Sequence, residues 1–170
     1  GVATGIGSKL LCSARYVSGF SQQQSFDDLV QYSGILQELT VDYDDVQKKV
    51  TTSLFGLSEK TANYLPNIGC AIDYSGFSQR ALLHTEQVSA SAAAWPAGDT
   101  VGTADSDMES KLERLLATDN EEGFNTRAFL VAHRGKVVAE AYGQGADADT
   151  PLLGWSMAKS LTAIMLANLE

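Results

Sequence analysis

The sequence predicts a mixed α+β fold, and three observations support this prediction. Apolar residues recur at helical spacing near residues 1–18 and 106–118. Runs that are rich in β-branched and aromatic residues lie at 38–43 and 46–55. Two further β-rich runs flank Arg134-Gly135, which is the pattern of a hairpin with a tight turn.

The composition limits the classes of function. The chain has 170 residues, of which 44% are apolar and 19% charged, so it is long and apolar enough to bury a core. Its net charge of -9 offers no electrostatic footprint for nucleic acid or an anionic membrane. No apolar run reaches the ~18 residues that a bilayer-spanning helix needs. We therefore predict no nucleic-acid partner and no transmembrane span.

The first hundred residues predict short helices and strands. A helix is predicted over residues 1–18, with its apolar face carried by Ile6, Leu10, Ala14 and Val17. A second helix is predicted over 25–37 with Ser25 as its cap, and the two strands at 38–43 and 46–55 follow. A short helix from Leu57 to Leu65, a strand at 67–72 and a long connection over 73–105 complete this part of the chain.

The next segment predicts a helix and a hairpin. Ser106 and Glu109 have the spacing of a capping box at the start of a helix that runs to Thr118. The apolar face of this helix consists of Met108, Leu112, Leu115 and Leu116. The hairpin spans residues 127–143, and a loop rich in glycine and aspartate leads on to residue 150.

The stretch whose residue types suit catalysis is Ser156 to Lys159. Pro151 and Gly154 mark a loop, and the residues from Ser156 onward predict a buried helix. Side chains three residues apart share a helix face, so the lysine amine can reach the serine hydroxyl. In an apolar setting a lysine can lose its proton and act as the base that activates a serine nucleophile. The alternative is that Ser156 is a helix cap and Lys159 a solvated side chain.

The order of these segments resembles a known family. A hairpin, a polar loop and then residues 151–160 (PLLGWSMAKS) are similar to the serine hydrolases related to class C β-lactamases, penicillin-binding proteins and 6-aminohexanoate-dimer hydrolases. The resemblance covers about residues 124–169, and extends more weakly to residues 9–20 (KLLCSARYVSGF) and 64–73 (YLPNIGCAID). It implies that Ser156 is the catalytic nucleophile and that Lys159 is its base.

The resemblance also implies a domain organisation. Residues 1–100 are expected to form an extra N-terminal α/β segment, and 101–170 the start of a β-lactamase-like α/β sandwich, truncated after the nucleophile helix. The family adds a Tyr-x-Asn or Ser-x-Asn motif and a late Lys-Thr-Gly or His-x-Gly triplet after that helix. We find neither after Ser156, and we interpret His133-Arg134-Gly135 as the hairpin turn.

The resulting functional hypothesis is an N-terminal fragment of a serine hydrolase. Its parent would cleave a small-molecule ester, amide or β-lactam through an acyl-serine intermediate, while the 170 residues alone are expected to be inactive or nearly so. The alternative is a penicillin-recognising or degenerate, non-catalytic binding module of the same fold. The oligomeric state is not predicted.

Cys12 and Cys70 leave two possibilities open. They form one disulfide if the chain is exported to the periplasm or anchored at a membrane, or they are two buried thiols. The compartment itself is not predicted. There is no Cys-x-x-Cys, and His84 and His133 stand alone, so neither a metal nor another cofactor is expected.

Overall fold

The computed structural model describes residues 1–74, 91–102 and 104–167. Its helices are α1 (Val2–Tyr16), α2 (Gln22–Val30), α3 (Ser106–Glu121) and α4 (Ala158–Ala167). Its strands are β1 (Leu39–Asp44), β2 (Lys49–Leu54), β3 (Leu57–Leu65), β4 (Gly69–Ile72), β5 (Ala128–His133) and β6 (Lys136–Tyr142). Short 3-10 helices lie at Gly34–Glu38 and Trp155–Met157. The predicted mixed α+β character is confirmed.

Four strands form an antiparallel sheet in the order β1-β2-β3-β4. The turn between β2 and β3 is Phe55-Gly56, and both residues have positive φ, as two-residue hairpin turns require. Helix α1 packs against this sheet. Thr52 on β2 donates a buried hydrogen bond of 2.7 Å to the carbonyl oxygen of Thr4 on α1. The helix and the middle of the sheet are therefore in direct contact.

The larger buried cluster lies between α1, α2 and the sheet. Its buried apolar side chains are Leu11, Cys12, Leu29, Leu36, Leu39, Val50, Ala62 and Cys70. Cys12 and Cys70 are joined by a disulfide, with their Cα atoms 6.0 Å apart. The bond ties α1 to β4, so the structure has the bonded state of the two that the sequence left open.

A second unit consists of α3 and the β5–β6 hairpin. Leu112 and Leu116 on α3 pack against Ala139 and Ala141 on β6. The hairpin turn is Arg134-Gly135, with φ values of 49° and 71°. The predicted helix and hairpin are both confirmed, because each rests on a pattern between residues that are close in the chain.

One predicted helix is wrong. Residues Leu57–Leu65 form strand β3, which pairs with β2 on one side and β4 on the other. Leu65 and Ala62 are buried in the sheet. Nine residues are too few for periodicity to separate a helix from a strand, and the pairing of both edges decides the outcome.

The predicted helix caps are also wrong. Ser21, and not Ser25, caps α2 and accepts a hydrogen bond from the Gln24 amide, while Ser25 is buried inside the helix. Asp105, and not Ser106, caps α3 and accepts from two backbone amides. An aspartate carboxylate is a good acceptor at this position, so it takes the place of the neighbouring serine.

The predicted apolar faces need two corrections. On α1 the buried residues are Thr4, Gly7, Ser8, Leu11 and Cys12, whereas Ile6 is exposed. On α3 Leu115 is 48% exposed. Small residues bring α1 close to the sheet, and a search for large apolar side chains misses such a face.

The connection over residues 73–105 is described only in part, since 75–90 and 103 lie outside the described residues. The proposed boundary near residue 100 stays a prediction. None of the helices in the described ranges has the length and apolar character needed to cross a bilayer.

Candidate active site

The candidate site begins in the loop that follows the hairpin. Ser18 donates a hydrogen bond of 2.7 Å to the carbonyl oxygen of Pro151, which holds the loop against the end of α1. The loop then enters the 3-10 helix Trp155–Met157, which contains Ser156, and continues into α4. Ser156 thus lies in the first helical turn, where backbone N–H groups have no partner within the helix.

Trp155 is the residue before the candidate nucleophile, and its side chain is anchored by Tyr32. Its φ is 42°, a left-handed value that is uncommon for a bulky side chain. Its indole Nε1 donates to the Tyr32 hydroxyl at 3.3 Å. The two rings meet edge to face, with centroids 5.2 Å apart. Tyr32 is thereby a neighbour of the site that the sequence analysis missed, since no local pattern links residues 123 positions apart.

The structure brings the predicted pair together. Lys159 Nζ donates a hydrogen bond of 2.9 Å to Ser156 Oγ. The same distance also suits transfer of a proton from Ser156 Oγ to Lys159 Nζ, because a neutral amine accepts a hydrogen bond from a hydroxyl. The described residues form no ion pair with Lys159. Chemically, the pair is a hydroxyl and an amine within reach for one proton transfer.

The prediction that α4 is a buried helix is wrong. No residue of α4 is buried, and its large apolar side chains are about 60% exposed, among them Leu161 at 60% and Ile164 at 59%. Ser156 and Lys159 are exposed as well. The described part of the chain places no layer over α4, so it does not supply the apolar setting that a lysine base needs.

Three triplets in the chain superficially match the motifs that the resembled family adds. His133-Arg134-Gly135 spans the end of β5 and the hairpin turn, and Lys60-Thr61-Ala62 lies within β3. Tyr16-Val17-Ser18 is the end of α1 and the residues after it. Tyr16 hydroxyl donates to the Lys49 carbonyl at 3.5 Å. Each triplet is thus accounted for by the element in which it lies.

A cleft of about 530 Å³ opens beside the site. Leu152 and Leu153 line it, but Ser156 and Lys159 do not. The opposite walls come from α1, α2 and the segment before β5. Sequence analysis offered no signal for this cleft, because its walls are distant in the chain.

The described residues contain no group of three or more His, Cys, Asp or Glu side chains arranged to hold a metal ion. Comparisons with protein-family models, curated proteins and solved structures find no match to this chain. The family resemblance therefore remains an inference from the sequence motifs, and the geometry around Ser156 is the structural support for a function.

Proposed function

We propose that the chain is the nucleophile-bearing, N-terminal portion of a serine hydrolase related to the class C β-lactamases. The observation that carries this proposal is the 2.9 Å contact between Lys159 Nζ and Ser156 Oγ at the start of a helix.

The proposed chemistry is acyl transfer. Ser156 Oγ attacks the carbonyl carbon of an ester, an amide or a β-lactam while its proton passes to Lys159 Nζ. The tetrahedral oxyanion is stabilised by the backbone N–H of Ser156 and the positive end of the helix. The carbonyl–heteroatom bond then breaks, the leaving group takes the proton, and an acyl-Ser156 ester remains. Water hydrolyses that ester when a second base activates it.

Turnover by the isolated chain is proposed to be near the uncatalysed level. Ser156 Oγ has one described hydrogen-bond partner, Lys159, and both side chains are exposed. A base in water is less activated than a desolvated one, and the loss of one oxyanion donor alone costs ~10²–10³ in rate. Acylation is therefore expected to be slow, with hydrolysis of the acyl-enzyme slower still.

The test is covalent labelling of the 170-residue protein with an alkyl fluorophosphonate, located by peptide mass spectrometry. We expect a phosphonyl adduct at Ser156 with loss of fluoride. Ser156→Ala should abolish this adduct, and Lys159→Gln should slow its formation, but by less than the ~10²-fold of a desolvated base, because Lys159 is exposed. Ser160→Ala is the matched control, because Ser160 is an exposed serine on the same helix, and its rate should be unchanged. Equal labelling of the Ser156→Ala protein would contradict the proposal.

The exposure of Lys159 favours a second candidate, a penicillin-recognising module that is acylated without turnover. Reaction with benzylpenicillin separates the two candidates. The protein tested must also supply the second base, which activates water for hydrolysis of the acyl-Ser156 ester. A stable penicilloyl adduct at Ser156 supports the module, whereas release of penicilloate at a steady rate supports the hydrolase. A protein that neither keeps a penicilloyl adduct nor releases penicilloate is a degenerate binding module.

A further inference from the structure

We propose that the cleft between α1, α2 and the loop at Pro151–Leu153 binds a small amphiphile with an aliphatic body and one carboxylate. The cleft volume of about 530 Å³ lies within the ~300–1,000 Å³ that is typical of small-molecule sites. This inference goes beyond the proposed hydrolase function and does not depend on Ser156.

The lining of the cleft is mainly apolar. Several large apolar side chains at its rim are exposed: Tyr32 56%, Ile68 48%, Phe124 65%, Leu152 45% and Leu153 51%. A cluster of exposed apolar side chains around a concavity marks a binding surface more strongly than scattered ones do. The rim therefore favours a ligand with an aliphatic body.

The charge in the cleft selects an anion. Three charged residues line it: Lys9, Asp28 and Arg127. Asp28 and Arg127 form an ion pair with each other, so their charges cancel. Lys9 makes no ion pair with the described residues, and its ammonium donates only to the Ser13 hydroxyl, at 3.3 Å. One positive charge remains for the ligand.

The position of Lys9 makes it an effective anchor. Lys9 is half-buried, and burial lowers the pKa of its ammonium from the ordinary value. A carboxylate placed beside it would compensate for the lost hydration and raise that pKa again. The Ser13 hydroxyl, one turn further along α1, offers a second donor to the same carboxylate.

The walls are fixed before any ligand arrives. The Cys12–Cys70 disulfide links α1 to β4, and the Ser18–Pro151 hydrogen bond attaches the loop to the end of α1. The Arg127–Asp28 pair joins α2 to the segment before β5. A preformed cleft loses little conformational entropy on binding, which favours affinity.

Titration calorimetry of the 170-residue protein with decanoate tests this inference. We expect decanoate to bind more tightly than 1-decanol, and decylammonium to bind more weakly than either. Lys9→Gln should weaken decanoate binding about tenfold or more, since a charge-assisted hydrogen bond is lost, and should leave decanol binding unchanged. Lys111→Gln removes an exposed lysine from α3 and serves as the matched control.

A second pair of variants avoids any folding defect at α1. Leu152→Glu places a negative charge in the exposed loop and should weaken decanoate binding about tenfold. Leu130→Glu makes the same change at an exposed position on β5 away from the cleft and should have no effect. The inference is overturned if decanoate does not bind, if decylammonium binds equally well, or if Lys9→Gln and Leu152→Glu both leave decanoate affinity unchanged.

Discussion

Arg127 Nη2 lies 2.6 Å from Asp28 Oδ1, and this ion pair joins α2 to the segment before β5. The Arg127 side chain is only 12% exposed. Its guanidinium also lies over the ring of Phe20, 5.5 Å from the centroid, and its Nε has no hydrogen-bond partner among the described residues. Arg127 thus depends on Asp28 for compensation of its charge.

Asp28→Ala should lower the free energy of unfolding by ~1–3 kcal/mol, because it leaves the partly buried guanidinium without a carboxylate. Urea denaturation followed by circular dichroism measures this change. Asp27→Ala is the matched control on the same helix, and since Asp27 is exposed, it should change the free energy by less than ~0.5 kcal/mol. Equal effects of the two variants would show that the ion pair adds nothing.

Reduction of the Cys12–Cys70 disulfide should destabilise the fold by ~2–5 kcal/mol. The two cysteines are 58 residues apart, so the bond removes a large loop-closure entropy from the unfolded chain. Urea denaturation with and without dithiothreitol gives the difference. The Cys12→Ala/Cys70→Ala protein should have the same urea midpoint in both buffers. A wild-type urea midpoint that is equal with and without dithiothreitol would count against this prediction.

Gly7→Ala should be destabilising by up to ~2 kcal/mol, because overpacking costs ~1–3 kcal/mol and helix propensity offsets ~1 kcal/mol of that cost. A Cβ at this position would lie 2.5 Å from Leu39 Cδ1, and Leu39 is buried, so neighbouring atoms must move. Gly5→Ala, two residues away on the same helix, meets only an ordinary contact of 3.5 Å. It should stabilise the protein by up to ~1 kcal/mol through helix propensity. Thermal melts of the two proteins should therefore shift in opposite directions.

The Arg15–Asp45 pair should make stability depend on pH at the acid end. The hydrogen bond from the Arg15 guanidinium is the main cause that lowers the pKa of the Asp45 carboxyl from its ordinary value. A lowered folded-state pKa contributes stability above the unfolded pKa, and this contribution is lost as pH falls through the folded pKa. Carboxyl titration by NMR should find the pKa of Asp45 below 3.8.

In Arg15→Gln the pKa of Asp45 should move up toward its ordinary value. Asp44 is the internal control. Its pKa is lowered mainly by the Gln47 backbone amide, so the substitution at Arg15 should leave it unchanged. If both aspartates shifted together, the effect would be a general change of charge and not the loss of one hydrogen bond.

Sequence patterns predicted the elements that depend on near neighbours. The Arg134-Gly135 turn and helix α3 follow from residues within a few positions of one another. Strand β3 was missed because its identity depends on pairing with two other strands, although the Phe55-Gly56 turn before it was a usable signal.

In the candidate site, too, sequence patterns predicted what depends on near neighbours and missed what joins distant parts of the chain. The spacing of Ser156 and Lys159 places their side chains together, as the structure has them, while their catalytic role stays a prediction. The contact of Trp155 with Tyr32 and the cleft around Lys9 join distant parts of the chain. The small, apolar and helix-forming residues from Ser156 onward predicted a buried α4, but the composition of one helix does not encode what covers it.

The two buried clusters differ in size, and this difference implies a hierarchy of local opening. The α3–hairpin cluster has four buried residues and no cross-link among them, whereas the α1–sheet cluster is larger and closed by a disulfide. Amide hydrogens of β5 and β6 should therefore exchange with deuterium sooner than those of β2 and β3. The loop from β6 to Ser156 is held at its far end by the Ser18–Pro151 and Trp155–Tyr32 hydrogen bonds, so the candidate nucleophile stays attached to the part of the chain with α1 and α2 when the hairpin opens.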